Sequence, residues 1–320
     1  MSRFKVRGQV PFLLTVDTTL EGSVSSPPDT FVLPLPGTGD YDYQVYWGDG
    51  SSEHHTENTS QTHVYGSPGT YTITITGKFP QIYFNYTGDC QKPIKVQLGD
   101  VGWLSMERAF LGCTNLRSVT GLSNTAKVTN FQNAWSSCYL LSRFDRINTS
   151  AGLNFYGAWS YCFSLTSFPL IDVSNGTIFS YAWAQCSGLT SFPLLNTSSG
   201  LSFDYAWLQC TGLTSFPAIN TSAGQDFSYT WNGCTGLNGY NFPTLNLRNI
   251  LSNTTNGANC FGGVTLSTAS YSALLIDMAL GTTTNVTFSG GNSKYNAGAV
   301  AARNTLTATR SWTVTDGGLG

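Results

Sequence analysis

Three histidines, His54, His55 and His63, are the only imidazoles in this 320-residue chain, and eight cysteines are its only thiols. By residue type, His54, His55 and Glu57 could hold a transition metal. Adjacent side chains on a strand point to opposite faces, so this trio would have to leave strand geometry to chelate. A solvated hairpin tip is the plainer reading. Asp40, Asp42 and Asp49 lie near one loop and offer the oxygen ligands calcium takes. Ordinary turn chemistry explains them as well.

The cysteines fall at 90, 113, 138, 162, 186, 210, 234 and 260. Their spacing is nearly constant at about 24 residues, inside the range of stacked repeats. Disulfides or a thiolate metal array would each use such a set. No Cys-x-x-Cys pair and no Cys/His cluster occurs, which argues against metal. Rungs of a stacked repeat lie about 4.8 Å apart, within disulfide range, but their side chains point the same way. A column of buried free thiols acting as small hydrophobes accounts for the spacing. A Cys–His nucleophile would need His63 to meet one of these thiols. Gly-x-Ser-x-Gly, the Walker loop and His-Glu-x-x-His are all missing. The expectation is a protein that is not an enzyme and uses no cofactor. Scattered carboxylates of glycosidase type are the form an enzyme would take.

The elements that carry the thiols repeat with them. Trp135, Trp159, Trp183, Trp207 and Trp231 stand three places before Cys138, Cys162, Cys186, Cys210 and Cys234; Phe110 takes that place before Cys113. A leucine follows each of these cysteines by three. Such a period marks a repeat architecture in which no copy buries its apolar face alone. Phe155, Ala158, Trp159 and Cys162 fall at i, i+3, i+4 and i+7, which predicts a two-turn α-helix. Gly188, Gly212 and Gly236 stand where a helix often ends in a left-handed residue. Leu-Thr-Ser-Phe-Pro then reads as a short strand, with Pro169, Pro193 and Pro217 at its end because proline lacks a ladder N–H. The sequons at Asn148, Asn196 and Asn220 sit at the polar turn of the repeat. Tyr181, Tyr205 and Tyr229 would stack as an aromatic row beside Gln185, Gln209 and Asn232. That row suits a sugar or a protein partner, or else merely covers the helix surface. Arg117 and Arg143 are the only charges at the starts of their strands and could mark a distinct edge.

Before the repeats, β-prone runs at Phe12–Val16, Thr30–Leu35, Tyr41–Trp47 and Thr70–Thr76 alternate with turn clusters, as in a sandwich. Thr62–Tyr65 leads into the turn Ser67-Pro-Gly69. Tyr46-Trp-Gly-Asp-Gly50, His63-Val-Tyr65 and Pro68-Gly-Thr-Tyr-Thr-Ile-Thr-Ile75 resemble the polycystic-kidney-disease (PKD) type of immunoglobulin-like sandwich. The resemblance covers about a quarter of the chain and implies structural roles for the Trp, Asp and Tyr. The pattern Ala-Trp-x-x-Cys-x-x-Leu-Thr-Ser-Phe-Pro resembles BspA-like (treponemal-type) leucine-rich repeats over nearly half of the chain. It departs from them in Trp for Phe and in the recurrent Phe-Pro. That resemblance implies a right-handed solenoid.

After the repeats, Ser270–Leu280 has helical spacing with Ser267 or Ser270 as N-cap. Val286–Phe288 and Ser311–Thr315 read as strands and Tyr295–Leu306 as a second helix. The tail ending Trp312-Thr-Val-Thr-Asp-Gly-Gly resembles one found after such repeats in phage-encoded and bacterial proteins. The expected fold is mixed α/β: a PKD-like sandwich (1–88), a leucine-rich-repeat solenoid (89–263) and an α+β cap (264–320).

Charged residues make up 10% of the chain and the net charge is −2, so no basic footprint for nucleic acid exists. No apolar stretch approaches the roughly 20 residues that span a bilayer. The stretch before Asp17 reads as a poor export signal, which points to synthesis in a cytoplasm. The resemblances imply a virion surface protein, as a phage fibre, tail-tip or head-decoration subunit. Its partners would be other virion proteins and a host surface glycan or protein, with homo-oligomerisation open. A bacterial cell-surface adhesin and a purely structural cement protein are the alternatives.

Overall fold

The computed structural model describes residues 10–121, 125–242 and 245–320. Residues 1–9, part of the N-terminal stretch read above, lie outside them. Most of the regular structure is β, helices are few, and the chain divides into two compact units, Met1–Thr149 and Ser150–Gly320.

In the first unit, period-two alternation builds the strands. β1 (Phe12–Asp17) buries Phe12, Leu14 and Val16 on one face. β2 (Thr30–Leu33), β3 (Asp42–Tyr46), β4 (Ser52–His55), β5 (Gln61–Val64) and β6 (Thr70–Lys78) complete a sandwich. One sheet runs β4-β3-β6-β1 and the other is β2-β5. The runs expected as strands form with shifted ends. β4 corrects the expected hairpin tip: Tyr43 pairs with His55 and Val45 with Glu53 along a regular antiparallel ladder.

The larger sheet does not stop there. β7 (Pro93–Gln97) pairs antiparallel with β1, and β8 (Ser118–Thr120) and β9 (Arg143–Phe144) extend it in parallel. The compositional boundary after residue 88 therefore falls within one continuous sheet. A buried ion pair fastens the join. Lys92 Nζ donates to Ser26 O, Pro27 O and Thr30 O at 2.9, 3.0 and 2.7 Å. Asp89, 3.4 Å from that ammonium, accepts from the backbone N–H of Ser26 and Val32 at 2.7 Å each. Both charges are fully hydrogen-bonded, the condition under which a buried pair is tolerated.

In the second unit the expected helix does not form. Phe155, Gly157, Trp159 and Tyr161 send their N–H groups to carbonyls of the following copy: Ile178, Ser180, Ala182 and Ala184, at 2.8–2.9 Å. The residues between them bond locally, as in Ala158 N to Phe155 O and Cys162 N to Trp159 O, three places back. Gly157 and Tyr161, third in their turns, have φ of 58° and 61°. Positive φ at that place makes successive type II turns, and such closely spaced left-handed residues forbid an α-helix. The same geometry returns at Tyr181 and Gln185 and at Tyr205 and Gln209. A chain of turns matches the i, i+3, i+4, i+7 stripe as well as a helix does, which is why the pattern misled.

Two further expectations change. Gly188, Gly212 and Gly236 are not left-handed. A Cβ at Gly188 would lie 2.5 Å from Phe163 O, and one at Gly212 2.4 Å from Ser187 O. These glycines let one copy approach the backbone of the last. Leu-Thr-Ser-Phe-Pro forms no strand. Thr214 N reaches Thr190 O at 3.0 Å, and the proline three places on has no N–H to continue.

Stacking runs on through the segment of the last cysteine, Cys260, and past it, where Phe261 N donates to Ser289 O at 3.1 Å. β10 (Thr254–Gly257), β11 (Val286–Ser289) and β12 (Thr313–Thr315) form a parallel sheet, and Phe227 N donates to Asn256 O at 2.7 Å. α1 (Thr268–Met278) starts at Ser267, whose side chain accepts from Ser270 N. The expected helix over 295–306 is broken into a 3-10 turn (Ala297–Ala299), α2 (Val300–Asn304) and a π-turn (Thr305–Thr309).

Candidate functional site

The histidines are each engaged. His54 Nε2 contacts Asp42 at 2.8 Å, and His63 Nε2 contacts Asp49 at 2.8 Å. His55 sits between Glu57 at 2.8 Å and Glu53 at 3.0 Å. The metal trio of the sequence reading is thus a set of imidazole–carboxylate pairs. The calcium trio separates too: Asp40 pairs with Lys78, Asp42 with His54, and Asp49 with Ser51 and His63. No group of three metal-ligating side chains occurs among the described residues. Partial burial opposes ionisation of Asp49, but hydrogen bonds from Ser51 outweigh it and, with His63, bring its pKa down to about 2. His63 also stacks on Trp47, ring centroids 4.7 Å apart.

All eight cysteines are buried and none is in a disulfide. Burial holds the pKa values of Cys113, Cys210 and Cys260 well above the ordinary thiol range and brings that of Cys234 to about 12. These thiols therefore carry none of the thiolate that nucleophilic chemistry needs. Along the repeats the thiols instead cap carbonyls of the preceding copy. Cys186 Sγ lies 3.1 Å from Trp159 O, Cys210 Sγ 3.1 Å from Trp183 O, and Cys234 Sγ 3.0 Å from Trp207 O. In the first unit Cys138 Sγ does the same to Phe110 O at 3.3 Å.

The tryptophans stack as a second column. Trp183 and Trp207 lie 5.2 Å apart, and Trp207 and Trp231 5.7 Å apart, both with ring planes nearly parallel. Phe192 and Phe216 stand edge-on to Trp207, at 5.2 and 5.0 Å. This is the offset and T-shaped geometry aromatic quadrupoles favour. The indole N–H groups of Trp183, Trp207 and Trp231 have no acceptor among the described residues. The indoles are therefore held by apolar and ring–ring contact, without polar pairing of their own.

On the outer surface Tyr181 and Tyr205 stack at 4.5 Å and 5°, and Tyr205 and Tyr229 at 4.6 Å and 6°. All three are half-buried. Burial, then the neighbouring Tyr205, pushes the Tyr181 hydroxyl up to about 12. Gln185 Nε2 donates to Gln209 Oε1 at 2.5 Å. The register corrects one member of the expected set. Gly233, and not Asn232, follows Gln209 in the ladder, since Gln209 N donates to Asn232 O as each residue does to the one before its counterpart. The tyrosine faces are taken up by each other, so the row turns ring edges and hydroxyls outward. This is the opposite of an open ring face for a sugar.

Arg143 pairs with Asp145 at 2.8 Å. Arg117 is exposed, and its backbone carbonyl accepts from Ser142 and Arg143. The polar turns carry Asn196 and Asn220, whose side-chain oxygens accept from Ser198 N at 3.2 Å and Ser222 N at 3.0 Å. These are Asx turns.

Residues 14–80 match the PKD domain family, in keeping with the sandwich and with Trp47, Asp49 and the last-strand Tyr71 in structural places. No curated protein and no solved structure matches the chain.

Proposed function

We propose that this chain is a non-enzymatic recognition protein that presents the tyrosine–glutamine ladder of its repeats to a host surface. In this reading the repeats form a right-handed solenoid of BspA-like leucine-rich-repeat type. The chain serves as a fibre, tail-tip or head-decoration subunit of a phage particle. The repeat motifs and C-terminal tail support the family reading.

One observation carries the recognition role. Left-handed backbone is costly for residues other than glycine, roughly 1 kcal/mol or more each. Glycine fills the Tyr181 position one copy earlier, at Gly157, and the Gln209 position one copy later, at Gly233, with φ of 58° and 72°. The backbone therefore accepts glycine at both places. Tyr181, Tyr205, Tyr229, Gln185 and Gln209 adopt the strained conformation with φ between 54° and 64°. Their side chains lie outside the Phe-Ala-Trp-Cys core, so what they add is surface.

The triple variant Tyr181→Gly, Tyr205→Gly, Tyr229→Gly tests this, because glycine suits the turns. The full chain should bind host cells in the presence of saturating free sugar acids; the variant should fold and lose that binding. Binding that survives in the variant would remove the ladder from the role. Purified particles without this chain by mass spectrometry would remove the virion assignment and leave a cell-surface adhesin.

A further inference from the structure

A second surface lies in the first unit, where the sandwich sheet passes into the repeat strands. β1 and β7 pair from Leu13 to Thr15 and then shift register between Thr15 and Val16. The extra residue bulges from β7 there, while Asp17 N still donates to Lys92 O at 2.9 Å. Beyond the bulge opens a groove of about 460 Å³ lined by Asp17, Leu20, Ile94, Lys95, Arg117 and Ser118. That volume falls within the range of small-ligand sites.

Among the described residues Lys95 and Arg117, like Lys127, Arg146 and Lys294, make no side-chain ion pair or hydrogen bond, and these two are set apart by lining one groove together. Arg143, Arg248 and Arg303 are paired with aspartates, and Lys78 and Lys92 with Asp40 and Asp89. Arg310 is bound to the carbonyls of Met278 and Ala279. The side-chain nitrogens of Lys95 and Arg117 have no such partner among the described residues, although the two positions adjoin: Lys95 is in register with Ser118, and Arg117 N donates to Ile94 O at 3.0 Å. Asp17 faces the same space. Its Oδ1 accepts from Thr19 N and Oγ1, at 3.0 and 2.6 Å, which leaves Oδ2 to accept from a ligand. Leu20 and Ile94, half-buried, supply apolar wall.

We propose that this groove binds a sugar acid, a uronic- or sialic-type residue, through its carboxylate. The guanidinium fork of Arg117 matches a carboxylate in two parallel hydrogen bonds, with the Lys95 ammonium as a second charge. Asp17 Oδ2 and Ser118 Oγ take ring hydroxyls, and Leu20 and Ile94 meet a ring face. Two cations and one carboxylate leave the groove one positive charge, which a monoanion balances. A phosphate, carrying nearly two negative charges, would set its extra charge against Asp17. A neutral sugar would leave both cations unanswered.

The test uses the full chain and titrates glucuronate, N-acetylneuraminate, glucose and inorganic phosphate by calorimetry. One of the two sugar acids should bind saturably, glucose should not bind, and phosphate should compete poorly. Arg117→Ala and Lys95→Ala should each weaken binding about tenfold or more, as loss of a charge-assisted hydrogen bond does. Arg117→Lys should recover only part of the loss. Both side chains are exposed, so thermal midpoints should stay at the parent value and exclude misfolding. Absence of saturable binding, equal binding of glucose, tighter binding of phosphate, or indifference to Arg117→Ala would each overturn the assignment. The triple tyrosine variant must bind the sugar acid normally. The ladder and the groove thereby stand or fall separately.

Discussion

The sandwich and the second unit solve stability in opposite chemical terms. In the sandwich, ionisable groups are part of the fabric: three histidines meet four carboxylates, and Lys92–Asp89 is buried where the sheet turns into repeat strands. The second unit has no histidine at all. Its copies are joined by backbone bonds, thiol-to-carbonyl contacts and columns of Phe and Trp. In the sandwich imidazole–carboxylate pairs link neighbouring strands and turns, whereas in the second unit the carboxylates pair with serine or arginine and the stacked tyrosines and glutamines make up the exposed row.

The sharpest break in the comparison is a cavity in the aromatic column. Trp207 is fully buried between Trp183 and Trp231, so Trp207→Ala should cost about 3–5 kcal/mol by chemical denaturation. Hydrogen exchange should quicken in the second unit while β1, β3 and β6 keep their protection. Nearly as large is Asp89→Ala, which strands the Lys92 ammonium without its counter-charge. A loss of about 3–5 kcal/mol is expected, together with faster proteolysis of the segment Ser26–Val32.

Acid should act on the sandwich first. The folded pKa of Asp49, about 2, lies below its ordinary value of 3.8, so its contribution is complete above pH 4 and is lost as pH falls through 2. That contribution is at most about 2 kcal/mol before solvent screening, which reduces it further. Asp49→Asn should flatten the acid limb of the stability curve, and a parent-like limb in the variant would assign the effect elsewhere. Smallest is the thiol ladder. Cys210→Ala removes one buried sulfur and its contact to Trp183 O, for about 1 kcal/mol. No thiol should react with a bulky disulfide reagent at pH 8 until denaturant is added, because all eight are buried.

Much of this was legible in residue order. Alternating runs placed β1, β2, β3 and β6, and Ser267 marked the start of α1. The regular cysteine spacing placed Phe, Ala, Trp, Cys and Leu together in the core. The tyrosine row, too, follows from spacing, since side chains one period apart must lie over one another. Other features left no local signature. β4 carries Glu53, His54 and His55, which read as a polar tip until pairing with β3 makes them a strand. Asp89 and Lys92 look like surface charges, and only the approach of Ser26–Val32 buries them. The groove of Lys95 and Arg117 combines strands from successive copies with a turn from the far end of β1.

The cysteine period and its aromatic neighbours determined by themselves that copies stack and which side chains meet, because that outcome depends only on repetition and hydrophobicity. What the chain does within a copy was decided by tertiary structure. Alternate N–H groups find carbonyls in the next copy in place of those one helical turn back, and these bonds between copies override the local helical pattern. They turn an apparent helix into a run of left-handed turns and put tyrosine and glutamine where glycine would serve.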